Sequence, residues 1–314
     1  MPKFILALAI LFGLTACSGG MAVSPIPSVL PTSRSTVPLK AGVYLSSWNE
    51  SAMTRAALGD LLPGVVRINY PAFPLMTHNV TAQEAQRLVG LIESDISYAR
   101  ALGALPLIVT TLGAVAPATN ADVFNSRQVV AEYYAGVARR FPGMAWEIGN
   151  EAELRSGGGD EPLLVTTYAS VFQAHADAIR AADRSATLVT AGTSGFAGIW
   201  IRAVLALTHP DAVGVHPYGT APQNYATAVA QIGTKLPVYF TEFGLQDATP
   251  QQVSDYFAYS HGVVPVAVWF CLSDLSAELG SIAGNRETHQ TFGLMDAQGK
   301  RRPSYAAAKA AFAK

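Results

Sequence analysis

The chain has 314 residues, of which half are hydrophobic and 14% are charged, and its formal net charge at pH 7 is -1. This composition excludes a disordered tail and argues against nucleic acid as a partner, because binding to phosphates needs an excess of clustered positive charge. It predicts a globular protein with a large buried core.

The first 40 residues are predicted to serve export and attachment. Lys3 precedes an apolar run over residues 4–14, which has the length of a signal peptide and is too short to span a bilayer. The run ends in small residues followed by Cys17, an arrangement that resembles the lipobox of bacterial lipoproteins and implies that Cys17 is lipidated. We therefore predict a signal peptide over 1–16 and a lipidated, flexible tether over 17–40, rich in Ser, Pro, Thr and Gly.

This N-terminal segment predicts a chain anchored to the cell envelope through lipid on Cys17. Ser18 directly follows the cysteine, which favours the outer membrane if the host is Gram-negative. The alternative is an ordinary secretory signal with a chance cysteine. The second cysteine, Cys271, has no partner for a disulfide once Cys17 is lipidated, and we expect it to be a small core residue.

Residues 41–314 are predicted to form one domain in which strands and helices alternate. Most of the candidate strands are apolar at nearly every position, as is typical of parallel strands covered on both faces. The predicted strands lie at 42–45, 65–69, 105–110, 144–148, 186–191, 212–216, 237–241 and 265–270, and the clearest helices at 81–102, 126–140, 161–182, 250–261 and 303–312. Eight such units predict an α/β fold of the (β/α)8 TIM-barrel type. An open doubly wound sheet is the alternative, although no G-x-G-x-x-G follows the first strand.

Two glutamates stand at strand ends, where the active site of such a barrel lies. Glu151 follows the fourth predicted strand and Glu242 the seventh, and these strands face each other across the barrel mouth. Glycoside cleavage needs one carboxylic acid to protonate the leaving oxygen and one carboxylate on the other side of the sugar. The pair therefore indicates hydrolysis of glycosidic bonds.

The residues around these glutamates resemble glycoside hydrolase clan A, and in particular its families 5 and 39. Gly149-Asn150-Glu151 and Thr241-Glu242-Phe243-Gly244 carry the resemblance, which covers the whole predicted barrel. Further residues that fit the clan are Arg67, His216, Tyr218 and Trp269. The resemblance implies a retaining mechanism with Glu151 as acid/base and Glu242 as nucleophile.

The resemblance also implies supporting roles. Asn150 is expected to bind the sugar 2-hydroxyl, Arg67 and Tyr218 to hold Glu242 in its ionised form, and Trp269 to form an apolar floor under the sugar. The negative charge of Glu242 would then raise the pKa of Glu151. Each residue has a structural alternative: a surface cation for Arg67, ring packing for His216 and Tyr218, and ordinary core for Trp269.

Several other residues near the strand ends are candidates for sugar contacts or for support. Trp48, Asn69 and Tyr70 are expected at the barrel mouth. Glu147 alternates onto the same side of its strand as Glu151, so it is expected to be buried and paired, with Arg67 as a candidate partner. The six histidines show no H-E-x-x-H spacing, so neither a metal nor another cofactor is predicted.

The expected partner is a β-linked polysaccharide or oligosaccharide outside the cell or in its envelope, and the protein is expected to act as a monomer. Two other functions remain open. One is a non-catalytic, lipid-anchored carbohydrate-binding protein. The other is a transglycosylase, which passes the same covalent intermediate to a sugar instead of water.

Overall fold

The computed structural model describes residues 38–45, 52–72, 81–114, 119–154, 162–274 and 291–313. Eight parallel strands close into a barrel, each paired with the next in sequence and the last with the first. These strands are β1 Lys40–Leu45, β2 Val65–Tyr70, β3 Leu105–Thr110, β4 Ala145–Asn150, β5 Thr187–Ser194, β6 Val213–His216, β7 Val238–Phe243 and β8 Val266–Trp269. The predicted (β/α)8 barrel is confirmed, and the open sheet is excluded because β8 pairs with β1.

Eight α-helices alternate with these strands in the described part of the chain. They are α1 Ala52–Leu61, α2 Ala82–Ala101, α3 Asn120–Arg140, α4 Val165–Ala182, α5 Gly198–Leu205, α6 Tyr225–Ile232, α7 Pro250–Ser260 and α8 Ser304–Phe312. Helix α3 begins at Asn120 rather than at residue 126, because Thr119 and Asp122 form a reciprocal capping box before it. None of the helices in the described ranges is long and apolar enough to cross a membrane.

The buried side chains form two layers, one inside the barrel and one between the strands and the helices. The outer layer is the larger cluster and contains apolar residues of strands and helices alike. The inner cluster includes one apolar residue near the start of several strands: Val65, Leu107, Ala145, Val189 and Val266. Arg67 and Glu147 lie two positions beyond Val65 and Ala145 on β2 and β4, so the period-two alternation of a strand places charge inside the barrel above an apolar base.

Some predictions concern residues outside the described ranges. The predicted signal peptide, Cys17 and most of the predicted tether lie there, as does Trp48. Lys40, predicted as the last residue of the tether, is the first residue of β1. Cys271 is described and buried, as expected of a core residue, and its Sγ lies 3.1 Å from the carbonyl oxygen of Ser273.

Candidate active site

Glu151 follows β4 in a backbone conformation that is uncommon for a residue with a side chain. Its φ is 42°, in the left-handed region, and Gly149 two residues earlier has a φ of 87°. The Glu151 amide donates to the carbonyl oxygen of Gly192 on β5 at 2.9 Å, which fixes this sharp turn against the neighbouring strand. Non-glycine residues in this region cluster at functional sites, where the surrounding structure holds them in place.

Glu242 on β7 reaches the same mouth from the other side of the barrel. Its carboxylate accepts hydrogen bonds from Nη1 of Arg67 and from the Tyr218 hydroxyl, the latter at 3.3 Å. Arg67 is fully buried, whereas the side chains of Glu242 and Glu151 are 12% and 18% exposed. The two carboxylates are therefore held from below and remain open toward the mouth.

His216 at the end of β6 links the two glutamates. Its Nδ1 lies 3.1 Å from Oε1 of Glu151 and 3.8 Å from Oε2 of Glu242. The ring is fully buried, and its Nε2 lies 3.6 Å from Oε1 of Glu147. The structure thus brings both predicted catalytic residues to one imidazole nitrogen.

Arg67 connects the floor of the site to β4. Its Nε donates to Glu147 at 2.7 Å and its Nη2 to the same carboxylate at 3.2 Å, so Arg67 is the partner expected for the buried Glu147. The Arg67 Nη2 also donates to Oδ1 of Asn150 at 2.7 Å, which turns the amide nitrogen of Asn150 away from Arg67. Arg67 is therefore a buried hub rather than a surface cation.

The buried charges stabilise each other. Burial alone would raise the pKa of Glu147, but Arg67 and His216 outweigh it and lower that pKa to about 2. Burial alone would lower the pKa of His216, but the charge of Glu242, the nearby Glu147 carboxylate and the hydrogen bond between Nδ1 and Glu151 raise it to about 9. At neutral pH the site therefore contains an imidazolium and a guanidinium among the carboxylates.

A glycine on β5 makes room for this arrangement. A Cβ on Gly192 would lie 2.2 Å from Nε2 of His216 and 2.5 Å from Oγ1 of Thr241, so any other residue would displace the site. The Gly192 amide also donates to Glu147 at 2.9 Å. Sequence reasoning did not identify Gly192, and it noted Thr241 only as part of the motif around Glu242, because the contacts of both residues run across strands.

The structure does not place Trp269 where a sugar floor is expected. Trp269 is 1% exposed and packs in the outer layer, with its ring 5.6 Å from Phe243 and 6.3 Å from Phe257 of α7. Strand alternation explains the difference, since Val266 and Val268 face the barrel interior and Trp269 faces the helices. The ordinary-core alternative describes Trp269 correctly.

Phe270 and Tyr44, which sequence reasoning missed, are buried aromatic residues of the inner cluster at the ends of β8 and β1. Their rings stack with centroids 4.9 Å apart, and the Arg67 guanidinium lies 5.6 Å from the Tyr44 ring. Phe292 packs edge-on against Phe270 at 5.9 Å and against Tyr218 at 6.1 Å. Strand alternation would have indicated both missed residues, because Tyr44 is two positions beyond Gly42 and Phe270 two beyond Val268.

Asn69 and Tyr70, the other candidates for the mouth, lie on opposite sides of β2. Asn69 is inside, where its Nδ2 donates to the Tyr44 hydroxyl at 2.9 Å. Tyr70 is fully buried on the outside, where its hydroxyl donates to Glu93 at 2.8 Å and its ring contacts Tyr134 of α3. The expectation that Tyr70 lines the mouth was wrong, because alternation turns it toward the helices.

Comparison with known proteins finds similarity only at the level of structure. No protein-family model and no curated protein sequence matches the chain. A family 39 glycoside hydrolase from the gut symbiont Bacteroides cellulosilyticus WH2 superposes with a TM-score of 0.61 at 16% identity, over 88% of this chain and 63% of that one. This chain thus spans less than two thirds of that protein's length.

Two other solved structures give the same result. A family 39 β-xylosidase from Caulobacter crescentus has a TM-score of 0.63 at 18% identity, with 88% of this chain and 72% of that chain covered. An exo-β-1,4-mannosidase from Opitutaceae bacterium strain TAV5 has a TM-score of 0.64 at 15% identity, with coverages of 88% and 59%. At these identities the similarity shows a shared barrel fold.

Proposed function

We propose that this protein is a retaining glycoside hydrolase in which Glu151 is the acid/base and Glu242 the nucleophile. The observation that carries the proposal is the convergence of these two carboxylates on Nδ1 of His216, at 3.1 Å and 3.8 Å, from opposite sides of the barrel mouth. The shared fold with glycoside hydrolases of families 39 and 5 supports the same chemistry.

The distances are compatible with retention and exclude only the wider inverting spacings. Two oxygens that lie 3.1 Å and 3.8 Å from one atom are at most about 7 Å apart; retaining enzymes separate their carboxyl groups by about 5–5.5 Å and inverting enzymes by about 6.5–9.5 Å. A covalent intermediate needs the closer spacing, because no water has to fit between nucleophile and sugar. The bound agrees with double displacement, which the resemblance to clan A implies.

In the first step a Glu242 oxygen attacks the anomeric carbon, and the bond from that carbon to the leaving oxygen breaks. Glu151 gives its proton to the leaving oxygen, which departs as an alcohol. In the second step Glu151 takes a proton from water as the water oxygen attacks the same carbon. The bond to Glu242 then breaks, and both carboxyl groups return to their starting forms.

The neighbouring side chains fit this division of roles. Arg67 and Tyr218 both donate to Glu242, which holds its carboxylate in place for attack on the sugar. The Asn150 amide is oriented by Arg67, and its nitrogen is the group that we assign to the sugar 2-hydroxyl. Phe270 takes the place first given to Trp269 as the apolar surface for the sugar ring.

We further propose a β-linked polysaccharide or oligosaccharide as the substrate, at the cell envelope or outside the cell. The β-xylosidase and the exo-β-1,4-mannosidase with a similar fold support the β linkage. The N-terminal apolar run followed by Cys17 supports lipid attachment to the envelope, with the outer membrane as the site in a Gram-negative host. Metabolic labelling with a fatty-acid probe, compared between the wild type and Cys17→Ser, tests the attachment.

The decisive experiment measures hydrolysis of a panel of defined β-glycans by the wild type, Glu151→Gln and Glu242→Gln. We expect each variant to lose at least about 10³-fold in kcat, as is typical when a catalytic acid or nucleophile is removed. Glu93→Gln is the matched control, since Glu93 contacts Tyr70 on the outside of the barrel. Near-wild-type rates in either active-site variant would refute the assignment.

NMR of the first product's anomer tests retention directly. A first product with the anomeric configuration of the substrate supports double displacement, and the opposite anomer contradicts it. Adding a sugar acceptor distinguishes transglycosylation from hydrolysis by the products formed. Binding of a glycan without any turnover across the panel would favour the carbohydrate-binding alternative.

A further inference from the structure

Glu147 lies at the centre of the charged cluster, yet it is too deep to contact a substrate. Its side chain is 0% exposed. Its carboxylate accepts hydrogen bonds from Arg67 at 2.7 Å, from the Thr241 hydroxyl at 2.9 Å and from the Gly192 amide at 2.9 Å. His216 completes this shell, with Nε2 at 3.6 Å. Any effect of Glu147 on the reaction must therefore act through its neighbours.

Those neighbours are the groups that contact the two proposed catalytic residues. Arg67 bonds to Glu147 on one side and to Glu242 on the other. His216 faces Glu147 through Nε2 and Glu151 through Nδ1. Two buried cations side by side would repel each other without anions near them. Glu147 and Glu242 each lie within ion-pair distance of both cations, and of the two only Glu147 is fully buried.

We propose that Glu147 is a positioning residue of the active site, which balances the charges of Arg67 and His216 and so presents an imidazolium Nδ1–H to Glu151. The catalytic importance of this role of Glu147 rests on the proposed function, whereas the charge of His216 can be measured without any substrate. In the proposed cycle Glu151 becomes a carboxylate after the first proton transfer, and a charged His216 stabilises it until the second.

The charge of His216 depends on titratable groups on or just beyond four strands, β2, β4, β6 and β7. Glu147 on β4, Glu242 on β7 and Arg67 on β2 face it directly. Further titratable groups near the ring are Glu151 and Glu153 beyond β4 and Tyr218 beyond β6. Glu147 differs from the other carboxylates in being fully buried, so its charge is the least screened by water.

The test is a pH titration of the histidine imidazoles by ¹⁵N NMR, with the full chain labelled and His216 assigned from the resonances that His216→Gln removes. We expect His216 of the wild type to titrate at about pH 9. In Glu147→Gln, which keeps the size and one acceptor oxygen, we expect the midpoint to fall by at least about one pH unit, because the opposite charge has been removed. Glu93→Gln, which removes a carboxylate outside the barrel, should leave it unchanged.

Kinetics then separates positioning from a purely structural role. Glu147→Gln should lower kcat at least about 10-fold with little change in KM, and should move the basic limb of the pH profile toward lower pH with the His216 midpoint. Glu147→Asp keeps the charge and should restore both the limb and most of the His216 midpoint. A structural role alone would change the yield of folded protein and leave the pH profile in place.

An unchanged His216 midpoint in folded Glu147→Gln would overturn the proposal. If that variant does not fold, the wild type decides, since a His216 midpoint at or below 6.5 also overturns it. Hydrolysis is not needed for either result. The two proposals can therefore fail separately. If Glu147→Gln lowers the His216 midpoint but the wild type cleaves no glycan, the role of Glu147 is supported and the proposed function is contradicted.

Discussion

Two fully buried histidines, one inside the barrel and one in the outer layer, have opposite electrostatic environments. His216 is surrounded by carboxylates, and its pKa is raised to about 9 despite burial. His175 on α4 contacts the Val171 carbonyl oxygen at 2.9 Å and the Tyr134 ring, and burial lowers its pKa to about 4. Burial opposes the charged form in both. The neighbours alone determine whether the buried ring carries a charge.

The contrast extends to the two layers as a whole. The outer layer is built from apolar side chains, whose removal from water stabilises the barrel. The upper interior contains Arg67, Glu147 and His216, all fully buried, and replacing such a group with an apolar residue of similar volume is often neutral or stabilising in proteins. The charged layer therefore adds little to stability on this argument, and the proposed chemistry at the mouth would give it a role.

The strongest test of this contrast breaks the interior network at its hub. Arg67→Met leaves the buried Glu147 and the nearby Glu242 without their shared cation, and we expect a loss of about 3–5 kcal/mol in the free energy of unfolding, together with loss of activity. Arg140→Met removes a half-exposed arginine that pairs with Glu93, and it should cost less than about 1 kcal/mol. Urea unfolding of both variants measures the difference. Equal losses in the free energy of unfolding would contradict the claim that the buried charges of the interior depend on Arg67.

A second test compares the outer layer with the barrel interior at two residues that are adjacent in the chain. Trp269→Ala should destabilise the protein by about 3–5 kcal/mol and leave KM unchanged, because Trp269 packs in the outer layer. Phe270→Leu keeps most of the buried apolar volume and should cost under about 1.5 kcal/mol, yet lower kcat/KM about 10-fold through loss of the ring. Thermal unfolding and steady-state kinetics of both variants check this, and the reverse pattern would place Trp269 at the substrate.

The barrel itself could be predicted from the sequence because its signals are local and repeated. Each apolar run followed by an Ala-rich helical stretch predicts one β/α unit, and eight of them fix the architecture. The positions of Glu151 and Glu242 at the barrel mouth could be predicted for the same reason, since each lies at a strand end. The pairing of Glu147 with Arg67 followed from alternation and from the cost of burying a carboxylate alone.

The predictions that were wrong, and the contacts that were missed, depend on which face of a strand a residue occupies and on how neighbouring strands pack. Trp269 was chosen as an aromatic residue near a strand end, although alternation makes Phe270 the inward residue. Tyr70 was expected at the mouth for a similar reason, but it is Asn69, one residue earlier on β2, that faces the interior. His216 lies between both carboxylates because β6 and β7 are adjacent and Gly192 leaves space, and neither condition is visible within one segment of sequence.

The pH dependence of stability should differ in sign for the two histidines. The raised pKa of His216 stabilises the folded state below pH 6.5, and this is lost as the pH rises through about 9. The lowered pKa of His175 means that stability falls as the pH drops from 6.5 toward about 4, because the unfolded chain binds the proton more readily. Each effect amounts to roughly 3 kcal/mol at most.

Urea unfolding between pH 5 and pH 9.5 can separate these two contributions. His175→Phe should flatten the curve between pH 5 and 6.5, while His216→Gln should flatten it between pH 7 and 9.5. The acid window lies above the range in which Glu147 titrates, since the pKa of that carboxyl is lowered to about 2. If both variants flattened the same side, the two sites would not differ in charge as described.

The smallest expected effect compares one buried hydroxyl from each layer. Thr241 donates to the charged Glu147 at 2.9 Å, and Thr208 donates to the neutral Val204 carbonyl oxygen at 2.8 Å. Hydrogen bonds to charged groups contribute more, so Thr241→Val should cost about 2 kcal/mol and Thr208→Val about 0.5–1 kcal/mol in urea unfolding. The titration midpoint of His216 in Thr241→Val should stay close to that of the wild type, because Glu147 keeps its charge and its hydrogen bonds from Arg67 and Gly192. If Thr241→Val moved the His216 midpoint as far as Glu147→Gln does, the position of the Glu147 carboxylate rather than its charge would set the pKa of the imidazole.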